Sequence, residues 1–265
     1  MLRIDNIYKT FHLDNNPEND KHALQGVSLT IEEGDFITVI GSNGSGKTTL
    51  LNSISGIFPV DSGHIYLDDQ DITKKKDYQR AQYVGRVFQD PMQGTIADMS
   101  LFENLSIASR RGAKQSPFRW ALSSNQREAF KDLLRPLGLG LEDRLETPMG
   151  TFSGGQRQAV TLLMASMSHP KILLLDEHTA ALDPKTAKTI MELTDKIISE
   201  TKTPALMITH NMKDAIKYGN RLIMMDGGKI IYDCRGEEKA KLTIEDLIKL
   251  FSSIGEVPDT VLLSN

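Results

Sequence analysis

Residues 41–49 read Gly-Ser-Asn-Gly-Ser-Gly-Lys-Thr-Thr and follow directly on the short apolar run Phe36–Ile40. No other segment restricts the fold of this chain as tightly. Glycine at 41, 44 and 46 opens backbone conformations closed to other residues, so successive N–H groups can turn toward phosphate oxygens. The nearly continuous apolar strand before them is what a parallel sheet covered on both faces requires. The helix expected through Leu50 and Leu51 points its positive N-terminal end at the same anion. Strand, then GxxxxGK[ST], then helix is the context in which this pattern reads as a phosphate cradle rather than a glycine-rich turn with a surface lysine. Lys47 adds a formal charge for the outer phosphates, and the Thr48 hydroxyl can ligate Mg²⁺. Gly41, Ser42, Asn43, Gly44, Ser45, Gly46, Lys47, Thr48 and Thr49 are therefore the expected phosphate-binding set, in an α/β protein that binds a nucleoside triphosphate.

A second constellation lies at Asp176 and Glu177, after the apolar run Ile172–Leu175. A carboxylate at the C-terminal end of a central strand lies beside the phosphate crevice of an α/β sheet, which makes Asp176 the natural partner of Mg²⁺. Glu177, one residue past the strand, can reach an attacking water as general base. Two acids that merely end a strand in solvent are the alternative, and the phosphate loop weighs against it.

The remaining chain supplies the frame. Leu2–Ile7 and Val27–Ile31 alternate as strands, with a polar surface loop expected at residues 13–22. Ile65–Leu67 and Val84–Phe88 are further strands, and the pattern turns mostly helical from Asp90 to about Pro170. Ile172–Leu175 and Ala205–Ile208 return as buried strands. Leu222–Met225 and Lys229–Tyr232 form a hairpin about Asp226-Gly227-Gly228. Leu242–Phe251 is a helix N-capped by Thr243, and the last dozen residues read as a loosely held tail.

Charge and composition exclude several classes. The formal net charge of −4, from 35 acidic and 31 basic residues, gives no footprint for nucleic acid. The basic stretch Arg110, Arg111, Lys114, Arg119 and Arg127, with Phe118 and Trp120, reads first as an exposed face of the helical segment and second as a contact with lipid headgroups. Cys234 is the single cysteine, so no disulfide forms within the chain, and a reducing compartment fits. The N-terminus lacks the character of a signal peptide, and no run nears the ~20 apolar residues of a membrane span. Any service to a membrane passes through a partner.

The segment Phe152-Ser153-Gly154-Gly155-Gln156-Arg157-Gln158, ahead of a helix, narrows the choice among nucleotide hydrolases. It resembles the LSGGQ signature of ATP-binding-cassette (ABC) proteins. The resemblance spans essentially the whole chain in the family's order: phosphate loop, Gln89, signature, Asp176-Glu177, Leu182-Asp183 and His210. It implies one domain over 1–265, with a mainly parallel core at 1–89 and 170–235 that includes an N-terminal antiparallel β subdomain. It places an inserted helical subdomain with the signature at 90–169, and a C-terminal helix and tail at 236–265.

The resemblance also implies roles. Phe11 stacks on adenine. Gln89 touches Mg²⁺ and the attacking water, so that Thr48, Gln89 and Asp176 surround the metal. Glu177, His210 and Gln89 carry the hydrolysis of ATP. Ser153, Gly154, Gly155 and Gln156 reach the γ-phosphate of nucleotide held by a second copy of the chain, and Asp183 carries signals between the copies. Three departures stand out: Phe152 replaces the family's usual leucine, Ala180 a common serine, and His178 the usual proline. The last is expected to be a structural variant that adds a titratable ring next to Glu177.

The implied partners are a second copy in a head-to-tail dimer, transmembrane permease subunits and, indirectly, an extracytoplasmic substrate-binding lipoprotein. The implied place is the cytoplasmic face of the cell membrane. The segments around DEHTAALDP and GRVFQDP are similar to those of ATPase subunits of tryptophan/tyrosine importers, near relatives of branched-chain amino-acid importers. A cassette ATPase outside transport, an exporter or a lipoprotein-release ATPase is the alternative reading.

Overall fold

A computed structural model describes residues 1–12, 14, 16–111 and 124–253. In chain order the strands are β1 (Leu2–Phe11), β2 (Lys21–Ile31), β3 (Phe36–Gly41), β4 (Ser62–Leu67), β5 (Gln70–Asp71), β6 (Val84–Val87), β7 (Ile172–Asp176), β8 (Ala205–Ile208), β9 (Arg221–Asp226) and β10 (Lys229–Arg235). The α-helices are α1 (Lys47–Ser55), α2 (Asp77–Arg80), α3 (Leu101–Ser109), α4 (Ser124–Leu134), α5 (Gly154–Ser166), α6 (Pro184–Thr201), α7 (Met212–Lys217), α8 (Glu237–Ala240) and α9 (Ile244–Ser253). The chain divides into two compact units, Met1–Arg80 with Lys202–Asn265, and Ala81–Thr201.

The first unit carries an antiparallel sheet in the order β2-β1-β4-β5. Leu2, Ile4 and Ile7 turn inward along β1, with a register shift between Ile4 and Ile7 around the left-handed Asn6. The loop expected at residues 13–22 is shorter than its polar composition implies. Lys21 and His22 already pair with Phe11 and Thr10, and the turn Pro17–Asn19 is capped by the Asn16 side chain. Strand pairing satisfies the backbone there while the polar side chains stay outside.

The same unit holds β3 between β8 and β9, parallel to both, with β10 antiparallel to β9. All six residues of β3 are buried, as a strand covered on both faces should be. The β9–β10 turn places Gly227 and Gly228 at φ 50° and 77°, conformations that favour glycine. The predicted C-terminal helix is present as α9. Thr243 Oγ1 accepts from Asp246 N at 3.2 Å, and Asp246 Oδ2 accepts from Thr243 N at 3.1 Å, a reciprocal cap. Leu247 and Phe251 pack into a cluster with Ile40, Met212, Leu222 and Met224.

Arg80 ties the end of α1 into this unit. It is 1% exposed, and its Nη1 donates to Ser53 O at 2.7 Å and Ile54 O at 2.8 Å, in the last turn of α1. Nε donates to Lys75 O and Nη2 to Thr73 O, each at 2.8 Å. A cation there satisfies carbonyls the helix leaves unbonded and suits the negative end of the helix dipole. Burial lowers the guanidinium pKa to about 10, opposed by the charge of Asp71, so it remains a cation at neutral pH.

In the second unit, β6 and β7 pair in parallel, with Val84 opposite Ile172 and Val87 opposite Leu175. Gly85 lies so close to its neighbours that a Cβ would meet Ala165 O at 2.5 Å and Leu173 Cδ2 at 2.7 Å. The helices have their own core, in which Leu101, Phe102, Leu105, Phe130, Leu134 and Phe152 take part. Phe152 thus fills an apolar place, with the Arg144 guanidinium 4.3 Å from its ring centre. Of the basic stretch, Arg127 lies 4.5 Å over the Phe102 ring and pairs with Glu146. Lys114, Phe118, Arg119 and Trp120, and the tail from residue 254, lie outside the described residues.

Replacing Arg80 by Met keeps an apolar stem and strands the carbonyls of Ser53, Ile54, Thr73 and Lys75 in a buried site. We expect urea denaturation of Arg80→Met to show a loss of about 3 kcal/mol, with Arg80→Lys recovering only part of it. Parent-like stability in Arg80→Met would exclude this role.

Candidate functional site

The loop leaving β3 is shaped by its own glycines. A Cβ on Gly41 would meet Met225 O at 2.2 Å, and one on Gly46 would meet Ala23 O at 2.4 Å. Gly41, Gly44 and Gly46 have φ of 151°, 85° and 103°. Ser45 N donates to Ser42 O at 3.2 Å to close the turn, and Gly228 N donates to Ser45 O at 3.1 Å. Gly46 is the N-cap of α1 and brings no capping side chain, so no side chain at the cap competes with an anion for the first amides of the helix. Lys47 is 6% exposed. Its Nζ donates to Gly41 O at 2.8 Å and Ser42 O at 2.7 Å, which folds the ammonium back onto the loop. Ser42 and Thr49 are half-buried, while Asn43, Gly44 and Thr48 are exposed.

His210 follows β8 and is exposed. Val39 pairs with Ile208 in the parallel β3–β8 ladder, and Thr209 N donates to Val39 O at 3.2 Å. The phosphate loop and His210 therefore leave neighbouring strands at the same C-terminal edge, where an α/β sheet binds its ligands. Asn211 holds the segment after His210 by accepting from Lys213 N and Asp214 N at the start of α7. Phe11 ends β1 half-buried, edge-on to Phe58 with ring centres 5.2 Å apart.

In the second unit, β6 and β7 deliver Gln89 and Asp176-Glu177 in the same way. Val87 lies opposite Leu175, so Gln89 and Glu177 each stand two residues beyond a matched pair. Asp176 is buried, with Arg86 Nη2 3.4 Å from its Oδ2. Burial holds Arg86 below its usual pKa, with the Asp176 charge opposing. Glu177 is half-buried with φ of 45°, a left-handed conformation that costs about 1–2 kcal/mol in an L-residue. His178 turns inward at 1% exposure. Burial pushes its pKa down to about 4, so the ring is neutral at pH 7.

The signature segment is built as a helix cap. Ser153 Oγ accepts from Gln156 N, and Gln156 Oε1 accepts from Ser153 N, both at 3.2 Å. A hydroxyl that accepts from the backbone keeps its own proton to donate outward. A Cβ on Gly155 would lie 2.1 Å from Thr186 Cγ2, whereas one on Gly154 would lie at 3.5 Å from Leu182 Cδ2. Asp183 Oδ1 accepts from Thr186 N at 3.1 Å, and hydrogen bonds from the Thr186 hydroxyl and amide hold its carboxyl below the usual range.

Arg86 and Thr194 carry no signal of their own in the sequence, and Gln158 stands there only as the last residue of the signature segment. Gln158 is fully buried on α5, and its Nε2 donates to Phe88 O, next to Gln89, at 3.1 Å. In the one-dimensional pattern it is a polar residue on a helix, and only the packed structure shows it to be internal.

The chain is similar to known proteins over most of its length. Residues 24–180 match the family described as ABC transporter. The chain is 45% identical over 252 residues to a tyrosine transport ATP-binding protein of Clostridioides difficile (strain R20291), covering 95% of this chain and 98% of that protein. It is 32% identical to a probable branched-chain amino acid transport ATP-binding protein of Methanocaldococcus jannaschii, covering 97% and 98%. Among solved structures, a dimeric ATP-binding cassette in a post-hydrolysis state with ADP and Pi superposes with a TM-score of 0.75 at 29% identity, covering 89% of this chain and 98% of that one. The chain belongs to the ABC transporter family. It is an ATP-binding, ATP-hydrolysing subunit with the cassette fold, an α/β nucleotide-binding core with an N-terminal antiparallel sheet.

Gly155 and Thr186 supply a test of the signature's packing. Gly155→Ala should lower stability by about 1–3 kcal/mol through overpacking, while Gly154→Ala stays within about 0.5 kcal/mol of the parent. Removing the Thr186 methyl in Gly155→Ala/Thr186→Ser should restore most of the loss. Thermal unfolding of the four proteins checks this, and an unaffected Gly155→Ala would exclude the contact.

Proposed function

We propose that this subunit energises the import of an amino acid, and an aromatic one in particular, through transmembrane permease partners. The observation that carries the substrate class is the 45% identity, over nearly the full length of both chains, to a protein named for tyrosine transport. On this reading two copies pair head to tail on the cytoplasmic face of the membrane, and an extracytoplasmic lipoprotein supplies the substrate.

The residues divide the chemistry among them. The amides from Gly41 to Thr49 and the Lys47 ammonium hold the phosphates, and Phe11 stacks on the adenine. Thr48, Gln89 and Asp176 offer a hydroxyl, an amide and one carboxylate, all hard oxygen donors. Among the described residues no group of three or more His, Cys, Asp or Glu side chains could hold a metal by itself. One carboxylate with neutral oxygens and the nucleotide's own phosphates suits Mg²⁺, which when bound would neutralise charge on the outer phosphates. Glu177 takes the proton of the attacking water, which Gln89 contacts, while His210 holds the γ-phosphate and helps position Glu177. Ser153 and the amides of Gly154, Gly155 and Gln156 contact the γ-phosphate held by the other copy, and Asp183 links the two sites. No helix among the described residues is long and apolar enough to cross a membrane.

Two experiments test this. Lys47→Ala and Ser153→Arg should each cripple a homodimer, because every shared site then carries one lesion. In the mixed dimer both lesions fall in one site, and the other is intact. Trapped ATP should therefore return on mixing; no gain over either variant alone, with heterodimers formed, would overturn the shared site. For the substrate, calorimetry on the lipoprotein that works with the permease should show binding of tyrosine or tryptophan. Binding of a phosphonate, a sugar or a metal instead would overturn the aromatic amino-acid assignment.

A further inference from the structure

His178 is a buried titratable side chain with no part in the chemistry above, and its ring is bonded to α6 from the position next to Glu177. Its Nε2 lies 3.0 Å from Thr194 Oγ1, on α6. That hydroxyl has a single proton, which it gives to Ile190 O at 2.8 Å, one turn earlier in the helix. Thr194 can then only accept from the ring, so Nε2 carries the ring proton and the bond runs in one direction, from His178 to Thr194 to Ile190. Thr194 is fully buried, where a mismade hydrogen bond is penalised most.

Glu177 stands between two anchors. On one side Asp176 ends β7, whose Leu175 pairs with Val87. On the other side His178 is pinned to the middle of α6. Between them the glutamate holds φ of 45°, and Ala180 N closes the following turn on Glu177 O at 2.9 Å. A left-handed glutamate persists only where its surroundings over-determine it. We propose that His178 is a positioning residue: through its bond to Thr194 it holds the left-handed backbone that presents the Glu177 carboxylate to the attacking water. The inference rests on Glu177 being the general base. It predicts effects on turnover that leave nucleotide affinity in place, because the phosphate loop is built elsewhere in the chain.

The test uses the full chain and five variants. His178→Phe keeps a ring of similar size without the donor, and Thr194→Val keeps the shape of threonine without the acceptor. Thr194→Ser keeps the hydroxyl and loses only a methyl. His178→Phe and Thr194→Val should each lower kcat about tenfold or more with KM for ATP within about twofold, the pattern of a lost transition-state contribution. Their double variant should be no slower than the slower single one, because both break one bond. Thr194→Ser should stay within about threefold of the parent, which separates the hydrogen bond from packing even if His178→Phe folds poorly. A kcat near the parent's in Thr194→Val, or losses that multiply in the double variant, would overturn the inference. Glu177→Gln, measured alongside, should bind ATP and not hydrolyse it. Parent-like hydrolysis there refutes the base assignment itself, whereas an inactive Glu177→Gln beside a fully active Thr194→Val refutes only the role of His178.

Discussion

The site in the first unit depends on the exit from β3. That strand is buried along its whole length and must turn at once into a loop and then into α1. Gly41 has no room for a Cβ, with the Met225 carbonyl 2.2 Å from where one would lie. Any side chain there would push β3 away from β9 or move the loop. Once the turn is made, the start of α1 and the Lys47 ammonium are brought to the same place. A buried cation at the positive end of a helix dipole is unfavourable on its own. A polyanion such as a triphosphate turns both charges to advantage, and Arg80 steadies the opposite end of the helix.

The second unit repeats the principle with a different device. Two parallel strands in register release Gln89 and Asp176-Glu177 at matching heights, so pairing in the sheet does the positioning. The signature does it through a helix cap instead. Ser153 is spent on the backbone as an acceptor yet keeps its proton, and Gly155 is small because Thr186 occupies the space. Ser153 and Gly155 are thus set by capping and packing, whereas Gly154 has room for a Cβ.

Side chains inside each unit carry much of the arrangement. Arg80, Arg86, Gln158 and His178 are polar, and all are largely or wholly withdrawn from solvent. Each is held by a hydrogen bond or charge at a point far away in sequence: Ser53, Asp176, Phe88 and Thr194. Such groups are expensive to bury unless their partners are in place. They therefore specify the local geometry sharply once the fold has formed.

The phosphate loop, the acidic strand end and the signature were legible in the sequence because each is a local pattern. Glycine where φ must be positive, apolar runs where a strand is covered twice, and a cap residue before a helix all act over a few residues. The hairpin at Gly227-Gly228 and the cap at Thr243 were legible for the same reason. The early start of β2 was not, since Lys21 and His22 look like loop residues and only pairing with Phe11 and Thr10 makes them a strand. Nor could the pattern show that the His178 ring turns inward, because its partner lies on a helix sixteen residues away. The sequence by itself determined the class of ligand and the loop, strand ends and helix cap on which the candidate residues stand. Tertiary structure alone decided which polar side chains are buried and what holds them, because burial and long-range hydrogen bonds exist only after distant segments have packed.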